Sequence, residues 1–184
     1  MNKTYVRKVL ENPHDRLWTV QGFGKMATNI TENARLHVWD RVLVEPRVPA
    51  IHSHSWDFKS TILAGRMRNL RFREIDGVTW NRILVSSAGA VMGPTERAAL
   101  TELPLDIYGE GESYVQTSEE IHLSLPEDGT ATLVEWQRES PERLMRIFWR
   151  GNRPWEGAKP RRATAEEIRN VTQNVLDTWF EGSP

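Results

Sequence analysis

The chain has 184 residues, with 24 Lys plus Arg against 25 Asp plus Glu for a formal net charge of -1, eight Trp and no Cys. Such a length holds one domain of ordinary size with a full core of its own, and a second independent domain is not expected. The charge balance gives no reason to expect nucleic acid or a membrane as partner, and the lack of Cys excludes disulfides, thiolate metal sites and Cys nucleophiles, so a metal would have to use His, carboxylate or water.

The start, MNKTYVRKVLENPHD, lacks the apolar centre of a signal peptide, and no apolar run approaches the roughly 20 residues of a membrane helix, so a cytoplasmic protein is expected. TYVRKVLEN, stopped by Pro13, predicts a short helix, and RLWTVQGFG a strand or loop. From Arg35 the pattern becomes β. RLHVWDRVLVEP alternates, IHSHSWDF and KSTILAG follow, and MRNLRFREIDGVTWNRILVSS carries an Asp76-Gly77 turn signal between two strand-like halves, which together predict a run of antiparallel hairpins.

SAGAVMGPTERAALTELPLDIYGEGE has no sustained period and predicts a long loop with short strands, or a lid. SYVQTSEEIHLSLPEDGTATLVEWQRE predicts two strands joined at the turn Pro126-Glu127-Asp128-Gly129. WRGNRPWEGAKPRR is a Pro- and Gly-broken connector. Thr164-Ala165-Glu166-Glu167 then forms a capping box, and Ile168, Val171, Val175 and Trp179 make the apolar stripe of a helix that packs on the barrel's outside or on a second subunit. The expected organisation is an N-terminal extension over 1–34, a barrel over 35–150, and a connector and helix over 151–184. Most of the tryptophans, Trp18, Trp39, Trp56, Trp80, Trp136, Trp149 and Trp155 among them, are expected to wall a core.

Two of the five histidines, His52 and His54, sit one residue apart. Residues two apart in a strand point the same way, so the pair can grip one ion. A stable site needs a third ligand, and His122, in a second strand-like segment ending in a turn, is the natural partner from across a barrel. His37 is expected to be packed or exposed, and His14 to face solvent.

The spacing around these residues resembles that of the cupin superfamily of small β-barrels. His52-Ser53-His54, three residues, Phe58, six residues, Gly65 matches the spacing of the first cupin motif. Gly111, five residues, Thr117-Ser118-Glu119, two residues, His122 matches that of the second. The departures are Pro46 for a Gly, Thr117 and Glu119 for the Pro and Gly of the second motif, and Phe58 for the usual Glu ligand. The resemblance implies an all-β, cupin-type antiparallel barrel (jelly roll) and a homodimer. It also implies a centre of three neutral histidines, His52, His54 and His122, suited to Fe(II), Ni(II), Mn(II) or Zn(II).

A carboxylate-free centre of this kind is similar to that of the thiol dioxygenases such as cysteine dioxygenase. Their Ser-x-His-x-Tyr arrangement has no match here, where the region reads Glu135-Trp136-Gln137-Arg138-Glu139. The segment is also similar to uncharacterised bacterial and phage cupins with H-x-H-x-W-x-F-x-S-x-x-L-x-G.

Around such a centre, Tyr114 is a candidate proton donor, Gln137 a further catalytic or lining group, and Trp56 and Phe58 pocket walls. Arg68 or Arg82 could clamp a substrate carboxylate. Asp57 is expected at the rim. Three functions follow as expectations: an Fe(II) dioxygenase of a small polar acid or thiol; a Zn or Ni isomerase, lyase or hydrolase in which Tyr114 or Glu135 moves the proton; and a non-catalytic barrel that holds a small molecule.

Overall fold

The structure, a computed structural model, describes residues 3–22, 24–43, 51–139, 143–151 and 160–180. Pro46 and Trp155, and the side chains of Gln137 and Trp179, lie outside the described residues. Helix α1 (Lys3–Glu11) and a 3-10 turn (Pro13–Asp15) lead into β1 (Thr19–Gly22), β2 (Lys25–Thr31), β3 (Ala34–Trp39), β4 (Ile51–His52), β5 (Trp56–Ala64), β6 (Met67–Val85) and β7 (Glu96–Glu102). After these come β8 (Asp106–Tyr108), β9 (Ser113–Gln116), β10 (Ile121–Pro126), β11 (Ala131–Glu139), β12 (Met145–Trp149), β13 (Arg161–Arg162) and helix α2 (Ala165–Phe180).

All the pairings are antiparallel. One sheet runs β13-β1-β2-β3-β11-β5-β9, and the other β10-β4-β12-β6-β7, with β10 and β8 also bonded to β6. The chain changes sheet at each step from β3 to β6 and again from β9 to β12, which is the jelly-roll connection of a cupin-type barrel. β1 and β2, placed by the sequence in an extension, are instead bonded strands of the larger sheet.

Leu36 and Val38 on one face of β3 join Val6, Leu10, Val171 and Val175 of the two helices in one buried cluster. His37 and Trp39, on the other face, look into the barrel and line its cavity. β3 is therefore buried on both sides, and the helical stripe packs on the outside of the barrel. The capping box forms as expected: Glu167 N donates to Thr164 Oγ1 at 3.2 Å, and Thr164 N donates to Glu167 Oε2 at 2.8 Å. With Arg161 also bonded to it, the Glu167 carboxyl is held down to about 2.

Asp76-Gly77 does not make a hairpin. Both halves of β6 pair with β7, Ile75 with Ala99 and Trp80 with Ala98, and residues 76–79 form a bulge between them. The strand absorbs four extra residues because Gly77 takes φ 145° where a side chain would strike Ala99. The turn 126–129 does connect two strands, but they belong to different sheets. At the end of β5, Gly65 has φ 74°, and a Cβ there would lie 2.9 Å from Thr130 Cα, so the close approach of the two chains requires glycine.

Among the described residues, no helix is long and apolar enough to cross a membrane.

Candidate metal centre

β4 is only two residues long, yet it is tightly placed. Ser53 N donates to Arg146 O, and Arg146 N donates to Ser53 Oγ, both at 2.9 Å. This clamp holds Ser53 against β12, while its neighbours His52 and His54 turn towards the barrel cavity that both line. His52 is the cross-strand partner of His122 on β10, so the two side chains leave the sheet on the same side.

The three rings form a near-equilateral triangle. Centroid distances are 4.8 Å for His52–His54, 4.9 Å for His52–His122 and 5.1 Å for His54–His122. One ligand nitrogen from each lies within 4.8 Å of the others, and His54 Nε2 is 2.9 Å from His122 Nε2.

His122 Nδ1 lies 2.9 Å from Asn69 Oδ1, an oxygen that can only accept, so Nδ1 carries the proton and the Nε2 lone pair faces the centre. Asn69 is itself oriented by donating from Nδ2 to Gln116 Oε1 at 3.3 Å. Burial, followed by the proximity of His52, holds His54 and His122 well below the ordinary imidazole range. Both are therefore neutral ligands with lone pairs to offer. Three converging nitrogen donors, a set tautomer and an oriented partner fit a divalent ion. Asn69→Leu, which removes the orienting oxygen, is expected to weaken metal affinity about 10- to 100-fold in a chelator competition titration.

Phe58 occupies the position where the resemblance places a carboxylate. It is 5 % exposed, and its ring centre lies 4.9 Å from that of His54 and 6.4 Å from that of His122. Trp56 packs on His54 at 4.9 Å and on Trp136 at 5.6 Å. Beyond these rings is a cavity with about 40 Å³ of free space, room for roughly three waters or a small ligand. Among the described residues no Asp or Glu lines it.

Tyr114 does line the cavity, stacked on Tyr108 at 4.6 Å, with burial raising its hydroxyl above the usual phenol range. Ser118, Glu119, Arg143 and Arg146 border the mouth next to His54. Asp57 stands at that rim, where it accepts from Ser118 N at 2.7 Å and so anchors the loop before His122.

The two arginines do not reach the cavity. Arg68 is exposed, and alternation along β6 puts it opposite Met67 and Asn69, of which Met67 lines the cavity and Asn69 reaches His122. Arg82 pairs laterally with Phe148 on the face away from the histidines, and it already binds Glu74 and Glu96. Glu135 alternates with the cavity-lining Thr132 and Val134 and lies on the other face of β11.

Two residues that escaped the sequence reading take part, Asn69 and Lys25, while Trp39, expected to wall a core, does so and also lines the cavity. Asn69 left a usable signal, since Asn is depleted in strands and sits in one here. His37, expected to be packed or exposed, is buried and lines the cavity.

No family model matches the chain, and no curated protein does. Among solved structures it is similar to Bacillus subtilis oxalate decarboxylase at pH 4.6, with a TM-score of 0.36 and 15% identity over 74% of this chain and 30% of that one. A second structure of that enzyme, concerned with its Mn(II) centres, gives 0.35 and 14% over 67% and 28%. Drosophila melanogaster CENP-C gives 0.29 and 8% over 80% and 95%. The chain thus spans less than a third of the decarboxylase's length. At these scores the assignment rests on the chain's own strand order and register, which make it an all-β, cupin-type antiparallel barrel carrying a three-histidine group that fits a divalent metal.

Proposed function

We propose that the protein is a mononuclear metal-dependent enzyme, an Fe(II) dioxygenase acting on a small polar acid or thiol inside the barrel. The observation that carries this is the convergence of three imidazoles, two of them kept neutral by burial, on the wall of a cavity that no carboxylate lines among the described residues. Neutral ligands leave the charge of a divalent ion undiminished for whatever else binds, which suits Fe(II) and also Mn(II), Ni(II) and Zn(II). Bound Fe(II) would supply the redox centre through which O₂ oxidises the substrate, the electrons coming from the substrate.

The chain's own residues supply the surroundings. Asn69 fixes the His122 tautomer, and Phe58 and Trp56 keep bulk water from the histidines. The Tyr114 hydroxyl, held protonated by burial, offers a hydrogen bond or a proton to a substrate oxygen. That same hydroxyl favours a second function, a Zn(II) or Ni(II) isomerase, lyase or hydrolase in which Tyr114 moves a proton on a polarised carbonyl.

Elemental analysis of untagged protein, followed by O₂-electrode assays over a panel of small acids and thiols, tests the proposal. Iron at about one equivalent and substrate-dependent O₂ uptake are expected. Zinc or nickel without O₂ uptake would transfer the assignment to the second function. Absence of Fe, Mn, Ni and Zn alike would leave a binding module and refute the metal centre.

A further inference from the structure

Facing the histidines across the barrel, the larger sheet presents three nitrogen groups that the function above leaves unused. Lys25 begins β2 and Trp39 ends β3, and they are cross-strand partners. His37 lies two residues back on β3, on the same face. All three line the cavity that holds His52, His54 and His122.

Two of the three carry a buried nitrogen without a partner, and the third, Lys25, is half-buried. Lys25 Nζ stands 5.3 Å from the centre of the Trp39 ring, and among the described residues no carboxylate or hydrogen-bond acceptor pairs with it. His37 Nε2 and Trp39 Nε1 are buried without a partner, in residues 8 % and 5 % exposed. Folded proteins seldom leave buried polar groups unpaired, and an ammonium partly withdrawn from water without a counter-charge is costly too. Burial and the charge of Arg35 lower Lys25 to about 8, so at neutral pH most molecules still carry the positive charge. In the tautomer that protonates His37 Nε2, a cation and two N–H donors line one small space and lack a single complement, an anion.

We infer that Lys25, His37 and Trp39 form an anion-holding half of the cavity and receive the carboxylate of a small acid whose other end faces His52, His54 and His122. The orientation of the acid rests on the metal-enzyme proposal; the anion site does not. One cation flanked by neutral donors matches a singly charged group, and among the described residues no guanidinium fork for a phosphate lines the cavity. About 40 Å³ of free space limits the ligand to a short acid. Within the proposed dioxygenase, these donors select an acid substrate over a thiol without a carboxylate.

Calorimetric titration of the full chain, once stripped of metal and once metal-loaded, with acetate and glycolate and with neutral acetamide as control, tests this. Acetate or glycolate is expected to bind and acetamide not. Lys25→Met should weaken carboxylate binding at least about tenfold, the loss of one charge-assisted hydrogen bond, with metal content unchanged. Trp39→Phe keeps the ring and removes the N–H. It should weaken binding less, and it carries the test if Lys25→Met proves unfolded by circular dichroism.

Wild-type affinity in a folded Lys25→Met or, failing that, in Trp39→Phe overturns the inference, as does equal binding of acetate and acetamide. Carboxylate binding that depends on Lys25 in a protein that takes up no metal would uphold the anion site and discard the metal centre. Metal uptake with Lys25-independent binding would do the reverse.

Discussion

His122→Ala is expected to bring bound metal from about one equivalent to near zero, because two imidazoles alone make a poor site for an ion that prefers at least three protein ligands. The loss should be disproportionate. His122 is the ligand whose lone pair is aimed by Asn69, and its Nε2 lies 2.9 Å from that of His54, so the substitution removes both a donor and the oriented part of the site. Elemental analysis of variant and wild type purified in parallel measures this directly. Undiminished metal in a folded His122→Ala protein would show that the ion sits elsewhere. The variant should remain folded, since the position lies on a cavity wall and its cross-strand bonds to β6 and β4 are made by backbone.

Trp18→Ala is expected to be the most damaging core substitution, at about 3–5 kcal/mol in urea denaturation. Trp18 is 1 % exposed, packed in the cluster that joins both helices to the outer face of the larger sheet, and its Nε1 donates to Pro13 O at 2.8 Å. Truncation would leave a cavity and remove the shorter of the two hydrogen bonds to Pro13 O, which Arg16 N also donates to at 3.4 Å. Phe at this position fills most of the volume and loses only the hydrogen bond, so Trp18→Phe should cost much less. Equal costs for the two variants would mean that volume is not what Trp18 contributes. Because this cluster lies on the far side of β3 from the metal centre, a folded Trp18→Phe should retain wild-type metal content.

Much of the metal centre was legible in the chain because its residues are local or regularly spaced. His52 and His54 are separated by one residue, the turn signal at Pro126–Gly129 marks the end of the strand that bears His122, and Phe58 declares the missing carboxylate by its type alone. The capping box of α2 was equally plain, since both of its hydrogen bonds join residues three apart. Interactions of this range depend on the covalent geometry of a few residues, and the sequence states them completely.

The sequence could not decide which face of each strand looks inward, or which distant strands become neighbours. Alternation gives two faces to β6 without saying that Met67 and Asn69 take the cavity while Arg68 goes to solvent, and Arg82 reads as a clamp until Glu74 and Glu96 are brought to it. The 76–79 bulge looked like a hairpin turn because only β7, bonded to both halves of β6, reveals them as one strand. Lys25 was likewise silent. Its partial burial, its station over Trp39 and its place across from the histidines arise from the pairing of β2 with β3 and the facing of two sheets. The residue types that hold a metal were thus set by the sequence itself. The closure of the barrel, which brings together groups far apart in the chain and removes them from water, decided what else shares the cavity with them.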